Sequence, residues 1–223
     1  GYNNRDFPGR LAFMSDSMIY RRFFLLVTIL ASTIVFAGVS LSRAEESARV
    51  TRTGHVYLFR GFTNVFSTGM NVLTEKLRQN GIKADVYNHA GYPAVAKTAI
   101  EEYRATKGRE PIFIVGHSLG GDAAIAMSEI LQKHGVPVTL LVIYDAYAPR
   151  VVPSNVRHVI NYHQYEALDS AGAKLKLEPG FKGKVENIDV AKESSAIDHF
   201  NIDKQESLHE ATIKVILART RRK

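Results

Sequence analysis

The sequence predicts an α/β domain: a mostly parallel sheet of about six strands with helices on both faces. Three observations predict it. From His55 onward, short runs rich in Val, Ile, Leu, Phe and Tyr alternate with longer runs of helical period. Gly81, Gly108 and Gly135 each follow a helical run, where a left-handed cap is expected. The segment Ile112–Ala124 passes from an apolar strand through a tight turn into a helix start rich in small residues.

The first 44 residues differ from the rest. Arg21-Arg22 precede an uncharged run from Phe23 to Leu41, which ends at Ser42-Arg43-Ala44. A basic start, a greasy middle and a small-x-small exit make a secretory leader. The run exceeds the usual core of about 7–15 residues and approaches the ~20 needed to span a bilayer, so an uncleaved anchor is the competing expectation. Either way the sequence predicts an exported domain, periplasmic, secreted or tethered, with residues 1–44 as leader and 45–223 as the folded unit. The residues before Met14 or Met18 carry no motif.

Within the folded unit the strands are expected at 55–59, 84–87, 111–115, 138–144, 157–162 and 185–190. Helices are expected at about 66–80, 93–106, 119–134 and 204–219. Two connections lack periodicity, 146–155 with Pro149 and Pro153, and 164–184 with Gly172, Pro179, Gly180 and Gly183. A loop of the second length in a compact domain tends to be functional, and it is the expected substrate-facing wall.

Composition excludes several classes of function. There is no cysteine, so thiol nucleophiles, thiolate metal sites and lipid attachment through Cys are ruled out. The net charge is +7. The leader holds five Arg and two Asp, which leaves +4 for the rest, part of it in the tail Arg219–Lys223. A short basic end reads as a solvated terminus, and no nucleic-acid binding is expected.

Chemistry is carried by Gly116-His117-Ser118-Leu119-Gly120, followed by Gly121. In a sharp strand-to-helix turn the serine is held in a strained backbone conformation that pushes its hydroxyl out of the sheet, and side chains two residues either side would collide. The turn also leaves free N–H groups at the helix start, so the Leu119 amide and the helix dipole face an oxyanion formed by attack of Ser118 on a carbonyl. With this motif the chain resembles the α/β-hydrolase superfamily, particularly its small lipase-like, esterase and thioesterase members, over about residues 53–219.

The resemblance implies a Ser, acid, His order along the chain. For the acid it points to Asp145, at the end of the strand after the nucleophile's, with Glu166 and Asp169 beyond the following strand as rivals. For the base it points to His199, in Asp198-His199-Phe200-Asn201 before the last helix. His209, inside that helix, is the main rival, with His163 and His89 behind it. His117 lies in the elbow, facing away from the expected base position. The second oxyanion donor implied is the Phe62 N–H, in Phe59-Arg60-Gly61-Phe62, where Arg60 stands in place of the histidine many relatives carry. Phe59, Phe62, Phe66 and Tyr92 could line an acyl pocket, although aromatics beside strand ends more often belong to the core.

The activity implied is hydrolysis of a carboxylic ester or thioester through an acyl-Ser118 intermediate, on a small-molecule or lipid acyl substrate, with no metal and no organic cofactor required. An acyltransferase using the same triad and a non-catalytic hydrolase-like binding protein are the alternatives. The family comparison also implies that the first two strands of larger members are missing and that there is no separate cap domain. Oligomeric state is not legible.

Overall fold

A computed structural model describes residues 50–62, 67–148, 151–164, 175–192 and 194–223. The leader, Phe66, Glu166 and Asp169 lie outside the described residues. The chain divides into units Gly1–Ala48 and Arg49–Lys223, and everything described here falls in the second. No helix among the described residues is long and apolar enough to cross a membrane.

The elements in chain order are β1 (His55–Arg60), α1 (Thr68–Gln79), β2 (Lys83–Asn88), α2 (Tyr92–Ala105), β3 (Ile112–His117), α3 (Leu119–Lys133), β4 (Leu140–Tyr144), β5 (His158–His163), β6 (Lys184–Asp189) and α4 (Glu206–Leu217). The six strands form one sheet in the order β2-β1-β3-β4-β5-β6, and every pairing is parallel. This is the parallel α/β architecture that the alternation of strand and helix runs predicts, and it agrees with the α/β-hydrolase-like fold that the resemblance implies.

The central strands read as unbroken apolar runs because both faces are covered. Alternate residues go to opposite sides. Tyr57, Phe59, Ile114 and Ile143 pack with Val95 and Ala99 of α2 and Met127 and Leu131 of α3. Val56, Leu58, Val115 and Val142 pack with Met70, Leu73 and Leu77 of α1 and Leu208 and Ile216 of α4. Each such side chain removed from water contributes about 1.5–3 kcal/mol before the entropy of ordering it is counted.

Helix ends differ in detail from the sequence expectation. Gly81 (φ 75°) and Gly135 (φ 69°) take the left-handed position after α1 and α3. At the end of α2 that position goes to Lys107 (φ 53°), with Gly108 (φ 73°) following, because the Lys107 N–H bonds to Arg104 O and the Gly108 N–H to Tyr103 O. The strand expected from Val138 begins at Leu140, and Val138 makes only an isolated bridge to Val156. The helix expected over about 204–219 is present and runs two residues shorter at each end, Glu206–Leu217. A single 3-10 turn at Ile202–Lys204 precedes α4, which starts at Glu206.

Because β1 lies between β2 and β3, the chain leaves β1 in one direction across the sheet and returns to its other side. The crevice at the C-terminal ends of β1 and β3 is the topological switch point, where ligands bind in open α/β sheets.

Candidate active site

The turn after β3 places Ser118 at that crevice. Its backbone has φ 56° and ψ −127°, outside the regions favoured for L-residues, a strain of about 1–3 kcal/mol that the surrounding structure must hold. Two glycines permit the turn. A Cβ on Gly116 would lie 2.1 Å from the Gly120 carbonyl oxygen, and one on Gly120 would lie 2.2 Å from that of Phe59. Any side chain at either position would force the turn apart.

The ladder hydrogen bonds continue past the strand ends and bring two residues into line. Ser118 N–H donates to Tyr144 O (3.0 Å), and Asp145 N–H donates to Tyr162 O (2.8 Å). Asp145, immediately after β4, has a left-handed backbone (φ 47°) that turns its carboxylate back over the sheet edge. His199 reaches the same point from the loop before α4. Its Nδ1–H donates to Asp145 Oδ2 at 2.7 Å, and its Nε2 lies 3.0 Å from Ser118 Oγ. Ser118, Asp145 and His199 thus form one hydrogen-bonded series, with Ser118 and Asp145 buried. The other Asp145 oxygen accepts the Gln164 N–H at 3.4 Å.

The His199 loop is tied to itself at several points. Phe200 N–H donates to Asp198 Oδ1 (2.8 Å), Ile202 N–H to Asp198 O (2.9 Å), and Asp198 N–H to Asn201 Oδ1 (2.9 Å). Such bonds hold a catalytic side chain in one geometry at little further entropic cost.

The rival histidines are elsewhere. His209 is buried on α4, where its Nε2–H donates to the Asp203 carbonyl at 2.6 Å and its ring meets Tyr144 edge-on. His163 ends β5 and His89 sits in a 3-10 turn after β2; neither is hydrogen-bonded to Ser118 or Asp145. The rival acids Glu166 and Asp169 fall outside the described residues.

For the two backbone donors, Leu119 is the first residue of α3, where the N–H has no intrahelical acceptor. Phe62 follows Gly61 in the turn after β1, with its ring 66% exposed. That turn crosses close over the nucleophile: a Cβ on Gly61 would stand 3.0 Å from Ser118 Cβ. Of the aromatic group considered for an acyl pocket, Phe66 lies outside the described residues. Phe59 is fully buried in the core, Tyr92 packs against that core, and Phe62 is exposed.

Two residues to which the sequence assigned no role tie together the segments around the site. His117, in the elbow, has its ring centroid 5.2 Å from that of His199 and bridges three segments. Its Nε2–H donates to the His199 carbonyl (2.8 Å), which leaves Nδ1 to accept the Ser67 hydroxyl proton (2.8 Å), while Ser67 Oγ accepts the Gly61 N–H (2.8 Å). Burial pulls its pKa down to about 4, so the ring is neutral and this donor order is fixed at working pH. No local signal links Ser67 to His117, fifty residues on. Replacing His117 with Ala frees both the base loop and the oxyanion turn. A displacement near 1 Å costs about 10²-fold, so steady-state assays of H117A should show kcat reduced by roughly that factor at all pH values above 5, with the melting temperature reported alongside.

Asp203 lies in the 3-10 turn before α4. Its side chain is turned inward, fully buried, and Oδ2 accepts the Gly69 N–H at the start of α1 (2.9 Å), while Oδ1 has no partner among the described residues. Burial raises its pKa to about 6. With the folded value above the ordinary one, the folded state holds the proton more tightly, so stability falls as pH rises from about 4 through 6. Asp203→Asn keeps the acceptor for Gly69 and removes the charge. Thermal melts should find the variant level with wild type near pH 4 and more stable by on the order of 2 kcal/mol at pH 8; a variant less stable at pH 8 would contradict the assignment.

Against known proteins, a family model described as Thioesterase domain matches residues 54–174, a span that holds Ser118 and Asp145 and stops short of His199. No curated protein sequence matches. Among solved structures, a putative hydrolase of the alpha/beta superfamily from Xanthomonas campestris pv. campestris is 14% identical, with 74% of this chain and 99% of that one covered and a TM-score of 0.40. The RedJ thioesterase from the prodiginine biosynthetic pathway in Streptomyces coelicolor is 13% identical over 73% of this chain and 88% of that one, TM-score 0.44. The NocB thioesterase domain from the nocardicin cluster is 15% identical over 74% and 93%, TM-score 0.45.

Proposed function

The chain belongs to the thioesterase domain family and is an esterase- or thioesterase-type hydrolase; from that premise we propose that it cleaves its acyl substrate through a covalent acyl-Ser118 intermediate. The observation that carries the proposal is the series Ser118 Oγ, His199 Nε2, His199 Nδ1, Asp145 Oδ2, with spacings of 3.0 and 2.7 Å at its two hydrogen bonds. With Nδ1–H committed to Asp145, the free lone pair of Nε2 faces the hydroxyl, the tautomer a general base requires.

In the proposed sequence, His199 takes the Ser118 proton as Oγ bonds to the substrate carbonyl carbon. Negative charge moves to the carbonyl oxygen, and in this reading the Leu119 and Phe62 N–H groups receive it. As the C–S or C–O bond breaks, the imidazolium returns its proton to the departing thiol or alcohol. Water then repeats the cycle, with His199 again as base, and releases the acid. Asp145 holds the tautomer and stabilises the imidazolium without taking its proton.

The test is active-site labelling with a fluorophosphonate probe, in parallel with hydrolysis of p-nitrophenyl acetate and of a matched thioester. Wild type should label once and hydrolyse both, and Ser118→Ala should do neither while keeping its melting temperature. Labelling that survives the Ser118 change would sink the mechanism.

A further inference from the structure

A second concave site lies at the opposite end of the sheet from Ser118, some 20 Å away by the length of a six-residue strand. The cavity has a volume of about 390 Å³, within the range of small-molecule sites. Four of its lining residues are arginines, Arg109, Arg157, Arg219 and Arg221, and none is acidic. They converge because the fold brings them to one edge. Arg109 precedes β3, Arg157 immediately precedes β5, and Arg219 and Arg221 follow α4. β3 and β5 are separated only by β4, about 10 Å across the sheet.

Two of the four guanidinium groups are held by neutral partners, and no carboxylate neutralises any of them among the described residues. Arg219 donates to Val215 O (2.8 Å) and to His158 Nδ1 (2.7 Å), and Arg109 Nε donates to Thr106 O (3.1 Å). The segment bearing Arg221 is fixed by two bonds to Thr53, Arg221 N–H to Thr53 Oγ1 (3.0 Å) and Thr53 N–H to Arg221 O (2.8 Å). Carboxylates in the neighbourhood are engaged: Glu110 with Lys223 and the Gly54 N–H, and Glu186 with His158 and Lys184. Among the described residues none of the four arginines has an ion-pair partner. Helix C-termini account for Arg219 after α4 and for Arg109, bonded to the Thr106 carbonyl at the end of α2, since cations are favoured there, but not for Arg157.

Four like charges around one concavity repel one another, and the arrangement gains most from a compact multivalent anion. Arginine's planar fork suits phosphate oxygens, and the hydroxyls of Thr139 and Tyr103 on the same wall add neutral donors. We propose that this arginine-lined cavity is a binding site for a phosphate-bearing ligand, separate from the hydrolytic site. The phosphate could be that of a soluble metabolite or of a lipid headgroup, and the chemistry of recognition is shared.

The experiment uses the chain from residue 1 to 223 at low ionic strength. Calorimetric titration with inorganic phosphate and pyrophosphate forms one arm, and co-sedimentation with phosphatidylcholine vesicles, with and without phosphatidylglycerol, forms the other. Arg157→Ser with Arg221→Ser removes two cavity charges. Arg104→Ser with Lys133→Ser removes two exposed charges elsewhere. Saturable 1:1 pyrophosphate binding, weakened at least 10-fold by the cavity pair and unchanged by the control pair, supports a soluble phosphate. The same pattern confined to phosphatidylglycerol vesicles supports a headgroup. Equal weakening by both pairs, no binding in either arm, or tighter binding of a single-stranded oligonucleotide than of pyrophosphate overturns the proposal. Ester hydrolysis should be unchanged in both pairs, which confirms that they fold.

Discussion

His199→Ala should lower kcat for p-nitrophenyl acetate by about 10⁴- to 10⁶-fold, the loss seen when a triad member that acts as a unit with its partners is removed. The size follows from geometry. His199 is the one ring within hydrogen-bond distance of both Ser118 Oγ and Asp145 Oδ2 among the described residues. Without it the hydroxyl proton has no acceptor, and the leaving group has no donor. His209 provides the control. It is buried, ten residues further on, and its Nε2–H is committed to the Asp203 carbonyl. His209→Gln should therefore cost stability, read as a lower melting temperature, while kcat of the folded fraction stays within a few-fold of wild type. A His209 variant that melts normally and loses activity as His199→Ala does would move the base onto α4.

Much of the fold was legible because its signals are local. The strands buried on both faces are continuous apolar runs, and the elbow fits within thirteen residues from Ile112 to Ala124, so strand, turn and helix start could be read together. The positions of Asp145 and His199 were legible for another reason. They followed from the chain order of a resembled family and not from any pattern around the residues themselves. What escaped notice depends on long-range contacts. His117 reads as a buried elbow histidine until its bonds to Ser67 and to the His199 carbonyl, fifty and eighty-two residues away, are seen. The helix expected from about Lys204 starts at Glu206, after a 3-10 turn in which Asp203 meets the Gly69 N–H, a contact across 134 residues that no local pattern announces. Arg109, Arg157 and Arg221 look like scattered solvated charges in sequence. They become one feature only when parallel strands bring their N-terminal ends to the same edge.

The acid carries the other large expected effect. Asp145→Asn should reduce kcat by about 10⁴-fold, through the tautomer rather than through lost packing. Asp145 accepts two hydrogen bonds, His199 Nδ1–H at Oδ2 and the Gln164 N–H at Oδ1. An asparagine offers one acceptor and one donor group in the same shape. If its oxygen faces Gln164, its NH₂ faces Nδ1, and the ring proton must move to Nε2, where it blocks transfer from Ser118. If its oxygen faces Nδ1, the NH₂ opposes the Gln164 N–H, and a donor meets a donor at the end of β5. The first arrangement abolishes the base; the second strains the loop that holds the acid. Asp145→Asn should consequently slow fluorophosphonate labelling as well as turnover, since Ser118 loses its proton acceptor in both reactions. Glu166→Gln and Asp169→Asn, carrying the same change further along the chain after β5, should leave turnover within a few-fold of wild type. If one of those two loses activity by orders of magnitude while Asp145→Asn does not, the carboxylate that orients His199 during catalysis is that residue's, and the 2.7 Å contact to Asp145 is not the one that sets the tautomer.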